Sequence, residues 1–288
     1  MNKLHIIIAG LILAILSISS CKEIGPDINL GGSQNSVSDT TYIESPVATP
    51  EIKNILIEDF TGVRCPNCPQ AHVIIQSLKT QYPNRIVAVS LHPINTLGAP
   101  YVFSPQNFDN QKAQNLFDYL GQIGFEPAGG IDRKLYTGES NVLVDKSTWN
   151  THVGDELPLV PPVNITLTKM YDSTSRQLTI TAELHYTTTD TTSNRLTIML
   201  TESNIVNPQL NGSVIDTFYV HKDVLRDVIT TTQGDALTAP RQAGRVVRKT
   251  YKTTLDTGWK PENMSIVAFV HEYVNTKVVY QAKEISVE

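Results

Sequence analysis

Cys65 and Cys68 stand at the junction of an apolar run and a helical pattern, and this junction constrains the fold more than any other feature. Ile55-Leu56-Ile57-Glu58-Asp59-Phe60 is short and mostly apolar, as in a strand buried within a parallel sheet. Thr61-Gly62 and Cys65-Pro66-Asn67-Cys68 follow; then Ala71, Ile74, Ile75, Leu78 and Tyr82 recur at helical steps until Pro83 stops the run. A helix N-terminus presents unpaired N–H groups and a positive dipole end, both of which favour a thiolate. Cys65, at the mouth of the helix, is expected to be an exposed nucleophile, and Cys68, one turn in, the buried resolving thiol. Two intervening residues let a small disulfide ring close and reopen, which is the chemistry of thiol–disulfide exchange through a mixed disulfide.

From Glu51 to Leu157 the pattern remains mixed. Arg85 to Leu91 reads as a second strand, and Ala113, Leu116, Phe117 and Leu120 as one face of a helix stopped by Gly121. A strand around Gly130 to Tyr136 and a helix over Lys146 to Glu156 complete a β-α-β-α-β-α order, a central sheet with helices on its faces. After Pro158, Pro161 and Pro162 the period changes to two. Leu178, Ile180, Ala182, Leu184 and Tyr186 alternate with polar residues, and runs at 163–170, 196–200, 246–255, 264–270 and 277–287 bring the total to about six strands. The expected architecture for 158–288 is an all-β sandwich, immunoglobulin-like in layout. Tyr219 to Thr230, with Val220, Val224, Leu225 and Val228, is expected to be a helical turn or ordered loop.

The N-terminus sets the compartment. Lys3 precedes an apolar run, Ile6 to Leu16, that is short for a membrane span. Ile18-Ser19-Ser20-Cys21 resembles the lipobox of bacterial lipoproteins. The resemblance implies a signal peptide over 1–20, lipid on Cys21, and, with Lys22 following, sorting to the outer membrane. Of three cysteines, the exported chain then keeps only Cys65 and Cys68, which have only each other as intramolecular partners in an oxidising compartment. Residues 21–50, rich in Gly, Ser, Thr, Asp and Pro, are expected to form a flexible tether.

Several function classes are excluded. The net charge is −5 and no Lys/Arg block exists, so nucleic acid is not a partner. Gly-rich phosphate loops, a Gly-x-Ser-x-Gly elbow and HExxH are all missing, against nucleotide binding and hydrolysis. Glu58 and Asp59 point to opposite faces of a strand and form no acid–base pair. Pro69 occupies the position where covalent haem attachment needs histidine. No cofactor is expected. Cys65, Cys68, His72 and His92 offer one metal-like spacing as an alternative to a disulfide. His72 is otherwise expected on the helix surface, and His221 and Arg226 are expected to hydrogen-bond an irregular loop.

The residues around the motif resemble the thioredoxin superfamily. Asp59-Phe60 matches the Asp-Phe pair that ends the strand before the motif, which implies that Asp59 assists proton transfer from Cys68. Pro127, in Gly-Phe-Glu-Pro, falls where that fold places a cis-proline beside the cysteines, with adjacent backbone that holds a substrate strand by β-pairing. Arg64 stands where tryptophan is common and would favour a thiolate. Asp59 to Pro69, together with Tyr219-Val220-His221 and Val224-Leu225-Arg226, also resembles the outer-membrane-protein-twenty-eight-related lipoproteins of Gram-negative bacteria. That resemblance implies a thioredoxin-like domain over 51–157, an immunoglobulin-like domain over 158–288, and an outer-membrane or cell-surface location. Two functions stay open: thiol–disulfide exchange on exported proteins, or a surface binding module in which Cys65–Cys68 is structural.

Overall fold

The computed structural model describes residues 35–288; the expected signal peptide and Cys21 lie outside the described residues. Among the described residues no helix is long and apolar enough to cross a membrane. The first part contains β1 (Ser36–Ile43), β2 (Ile55–Phe60), α1 (Cys68–Gln81), β3 (Ile86–Leu91), α2 (Gln111–Leu120), β4 (Ala128–Ile131), β5 (Leu143–Asp145) and α3 (Trp149–Glu156). Then come β6 (Val163–Asp172), β7 (Gln177–Tyr186), β8 (Asn194–Glu202), β9 (Ile205–Val206), β10 (Gln209–Asn211), β11 (Val214–Asp216) and β12 (Val220–His221). The chain ends with β13 (Val224–Val228), β14 (Asp235–Ala236), β15 (Arg245–Thr254), β16 (Met264–Glu272) and β17 (Val279–Ser286).

β2 is buried along its whole length because both its faces are covered. Side chains alternate across a strand, so Leu56 and Phe60 enter one cluster with Leu116 and Phe117 of α2. Ile55 and Ile57 enter another, with Ala71, Ile75 and Leu78 of α1 and Trp149 of α3. β2 runs parallel to β3 and antiparallel to β4. The sheet continues beyond β3: its order is β17-β16-β8-β13-β3-β2-β4-β5, with β14 on β8. β13 makes the join, parallel to β3 at Val224–Ser90 and antiparallel to β8.

A second sheet, β1-β15-β7-β6, packs on the β8 and β16 part of the first. Ile180, Leu184, Val247 and Tyr251 from one layer meet Leu196, Ile198, Ile266 and Val270 from the other in one core. The two-residue period of β7 matches its place in this layer, which also takes in β1, while the facing sheet is continuous with β2 to β5.

Two expectations change. Residues 36–43, assigned to the flexible tether, form β1 on the edge of β15. The side chains of 37–43 are exposed, but the edge of β15 supplies backbone partners, and Asp39 pairs with Lys249 at 2.5 Å. Tyr219 to Thr230 holds β12 and β13 rather than a helical turn or an ordered loop alone. A register shift between Leu225 and Asp227 breaks the two-residue period, so buried Val224, Leu225 and Val228 fall at helix-like spacing.

Candidate functional site

The site lies where β2 and β3 end. Asp59 shares the α1-facing side of β2 with Ile55 and Ile57, whereas Glu58 faces the other way and is paired with Arg133. Beyond Phe60 the chain turns sharply: the Thr61 N–H donates to Leu91 O at 2.9 Å and the Arg64 N–H to Leu97 O at 2.8 Å. Only glycine fits at position 62, where a Cβ would lie 2.3 Å from Leu97 O. Arg64 commits its guanidinium to this loop, donating to Ala99 O and Pro100 O at 2.7 Å each and lying over the Tyr101 ring.

Cys65 and Cys68 form a disulfide with their Cα atoms 5.4 Å apart, and α1 begins at Cys68. Both cysteines are 0% exposed, including Cys65, which the sequence places at an open helix mouth. The covering group comes from far along the chain. In the β10–β11 hairpin, the Leu210 N–H donates to Val63 O at 2.8 Å and the Gly212 N–H to Pro66 O at 3.0 Å. The buried Gln209 amide donates to both Gly62 O and Cys65 O at 3.1 Å. Gly212, at φ 59°, sits at the first position of the two-residue hairpin loop, in the left-handed region that glycine enters freely. The Gly212-Ser213 dipeptide is a hairpin signal that sequence reasoning passed over.

Asp59 is fully buried, and among the described residues neither of its carboxylate oxygens has an aligned hydrogen bond. Burial pushes its carboxyl above the usual range, and nearby His72 pulls it partly back. His72 is one helical turn beyond Cys68 on the same face of α1. Its Nε2 lies 3.4 Å from Asp59 Oδ2 and 3.2 Å from Thr61 Oγ1, and its Nδ1 is 2.7 Å from Tyr219 Oη. His72 is therefore turned inward and not free on the helix surface. Pro127 directly precedes Ala128, which registers with Phe60, so the proline borders the end of β2; the Glu126–Pro127 bond is cis. Glu126, held by Asn95 at 2.6 Å, is itself pushed up by burial.

Beside this line lies a cluster of rings, with His221 edge to face against both Phe108 and Tyr219. Phe108 lies 5.0 Å from His92 and 4.9 Å from His221, and Tyr219 lies 4.8 Å from His221. Burial holds His92 well below the usual histidine range and His221 down to about 3, so both are neutral. His221 contacts Asn207 O, and Arg226 pairs with Glu202 at 2.8 Å and reaches Gln106, so both residues serve as anchors. A cavity of about 670 Å³ runs between α1 and residues 219–223, with His72 and Tyr219 in its wall. Among the described residues no group of three or more His, Cys, Asp and Glu is placed to hold a metal ion.

The profile of the family described as outer membrane protein Omp28 matches residues 113–287, more than half of the chain. The chain belongs to the Omp28 family. It is accordingly an outer membrane protein. No curated protein matches it. Among solved structures, HBP35 of Porphyromonas gingivalis is similar at 20% identity, over 83% of this chain and 76% of its own, with a TM-score of 0.63. A protein from Agrobacterium tumefaciens is similar at 12% identity, over 83% and 97%, with a TM-score of 0.51. At these identities both show likeness of fold alone. A domain of the outer membrane lipoprotein Omp28 from P. gingivalis shares 20% identity over 44% of this chain and 88% of its own, with a TM-score of 0.29.

The Omp28 match begins at Ala113, so it takes in Gln209, Tyr219 and His221 and leaves out Asp59, Cys65, Cys68 and His72. The family signature thus covers the hairpin over the disulfide and not the disulfide itself.

Proposed function

We propose that this Omp28-family chain is a lipid-anchored outer-membrane protein, held through Cys21, whose thioredoxin-like part over 51–157 exchanges disulfides with exported proteins. The observation that carries this reading is Asp59: a fully buried carboxyl without an aligned partner is costly to a fold and is characteristic of a group that moves a proton. In one round, a substrate thiolate attacks Cys65 Sγ, the Cys65–Cys68 bond breaks, and Cys68 leaves as a thiolate that takes the Asp59 proton. A second substrate thiolate then attacks the substrate sulfur of the mixed disulfide and releases Cys65 as a thiolate. Two electrons pass from the substrate dithiol to the protein disulfide. The edge beside Pro127 is where a substrate strand would pair. Access requires the β10–β11 hairpin, part of the immunoglobulin-like region over 158–288, to move off the motif.

A second reading has its own support. Both cysteines are 0% exposed under main-chain hydrogen bonds, as expected of a structural disulfide in a surface binding or adhesion module. Titration of the full chain against glutathione buffers separates the two. Exchange predicts a potential well above about −300 mV, the region of resistant structural disulfides. A potential below that, with no disulfide transfer to a protein dithiol, supports the structural reading.

A further inference from the structure

We propose that His72 is a positioning residue that links the buried Asp59 carboxyl to solvent, with Tyr219 on the far nitrogen of its ring. The inference rests on the exchange reading for its biological use, but its geometry stands independently.

Asp59 has 0% exposure, so a proton it gives or takes needs a carrier. Among the described residues only His72 is paired with it through a titratable nitrogen, Nε2 at 3.4 Å from Oδ2. A neutral imidazole has one N–H. With the N–H on Nε2, which also lies 3.2 Å from Thr61 Oγ1, the ring can donate to Asp59 once that carboxyl has lost its proton, and Nδ1 accepts from the Tyr219 hydroxyl at 2.7 Å. The chain of groups from Asp59 through His72 to Tyr219 ends in the wall of the 670 Å³ cavity. When Cys68 leaves as a thiolate it takes the Asp59 proton. Asp59 takes the Nε2 proton, Nδ1 takes the Tyr219 proton, and Tyr219 is reprotonated from solvent in the cavity. The net change is one proton from solvent to sulfur, with the His72 N–H moved from Nε2 to Nδ1.

The other ionisable groups around this line come from several elements. Glu126 precedes β4, His92 follows β3, and His221 belongs to β12. Asp216 of β11 acts on Tyr219, and Arg226 of β13 acts on His92. Across the cavity, Lys222 donates to Gln76 and Asp223 pairs with Lys79. Burial lowers both His92 and His221, and neither lies in the line from Asp59 to Tyr219.

The test measures reduction of the oxidised full chain by dithiothreitol from mildly acidic to mildly alkaline pH, corrected for the thiolate content of the reagent. Asp59→Asn and His72→Gln are expected to slow reduction by roughly a hundredfold where the wild type is fastest, and to remove the same inflection from its profile. Tyr219→Phe retains the ring packed on His221 and is expected to shift that inflection. A purely structural role would change the thermal midpoint without changing the shape of the profile. A His72→Gln profile superimposable on the wild type, beside an altered Asp59→Asn profile, overturns the relay. An unaltered Asp59→Asn profile overturns both the relay and the proton step of the exchange reading. An Asp59- and His72-dependent profile without transfer to any protein dithiol sustains the relay while the exchange reading fails.

Discussion

The side-chain amide of Gln209 donates a 3.1 Å hydrogen bond to the carbonyl of Cys65, a residue 144 positions earlier in the chain. With a second bond to Gly62 O, it closes the hairpin over the disulfide. Gln209→Ala leaves these buried carbonyls without that donor, a loss of about 1–3 kcal/mol. The expected result is a lowered denaturation midpoint together with severalfold faster reduction of Cys65–Cys68 by dithiothreitol. If the reduction rate does not change, Gln209 does not hold the cover in place.

Asp59 makes a signed prediction about pH. Burial raises its folded-state value above that of the unfolded chain, so between the two values the folded protein binds more protons. Stability is then fully present below the ordinary carboxylate range and falls as pH rises through the raised value, by about 1.4 kcal/mol per unit of difference. Asp132, pushed up to about 7, and Glu126 act in the same direction, so the comparison must be with Asp59→Asn. That variant is expected to be more stable than wild type at neutral pH and to converge with it in acid, as read by denaturant unfolding across the range.

Glu58 and Arg133 form a bidentate pair at 2.7 Å for each bond, both residues fully buried, with the guanidinium over the Phe269 ring of β16. Removing one partner strands the other charge. Arg133→Met is expected to cost about 3–5 kcal/mol in unfolding free energy. Replacing both with apolar residues of similar volume is expected to recover much of that loss, which a double-mutant cycle would measure.

β1 yields a prediction about truncation. A chain starting at Glu51 loses β1 and with it the Asp39–Lys249 pair, exposing the edge of β15. Unpaired edges invite association with other chains. Light scattering is expected to show more self-association for this chain than for one starting at residue 31.

Where local pattern decides structure, the sequence was readable. The helical spacing of Ala71 to Tyr82 marks α1, the alternation from Leu178 to Tyr186 marks β7, and Gly121 ends α2 in the left-handed conformation at φ 97°. The junction that sets Asp59 at the end of β2 and Cys68 at the start of α1 was readable because it is local, whereas Pro127 was named only through the resemblance. The burial of Cys65 was not, because it depends on Gln209. The inward turn of His72 was likewise hidden, since it depends on Tyr219, 147 residues away. β1 was missed because its polar side chains obscure a strand held by backbone bonds to β15.

The central claim is that Cys65–Cys68 passes its disulfide to exported proteins. The most direct measurement mixes the oxidised full chain with a reduced, unfolded protein dithiol and follows disulfide transfer, in wild type and in Gln209→Ala. The account predicts transfer by the wild type, faster transfer by Gln209→Ala, and a mixed disulfide through Cys65 that accumulates in Cys68→Ser when the substrate is supplied in its oxidised form. No transfer by either the wild type or Gln209→Ala, with the disulfide intact throughout, would contradict it and leave the pair a structural clasp.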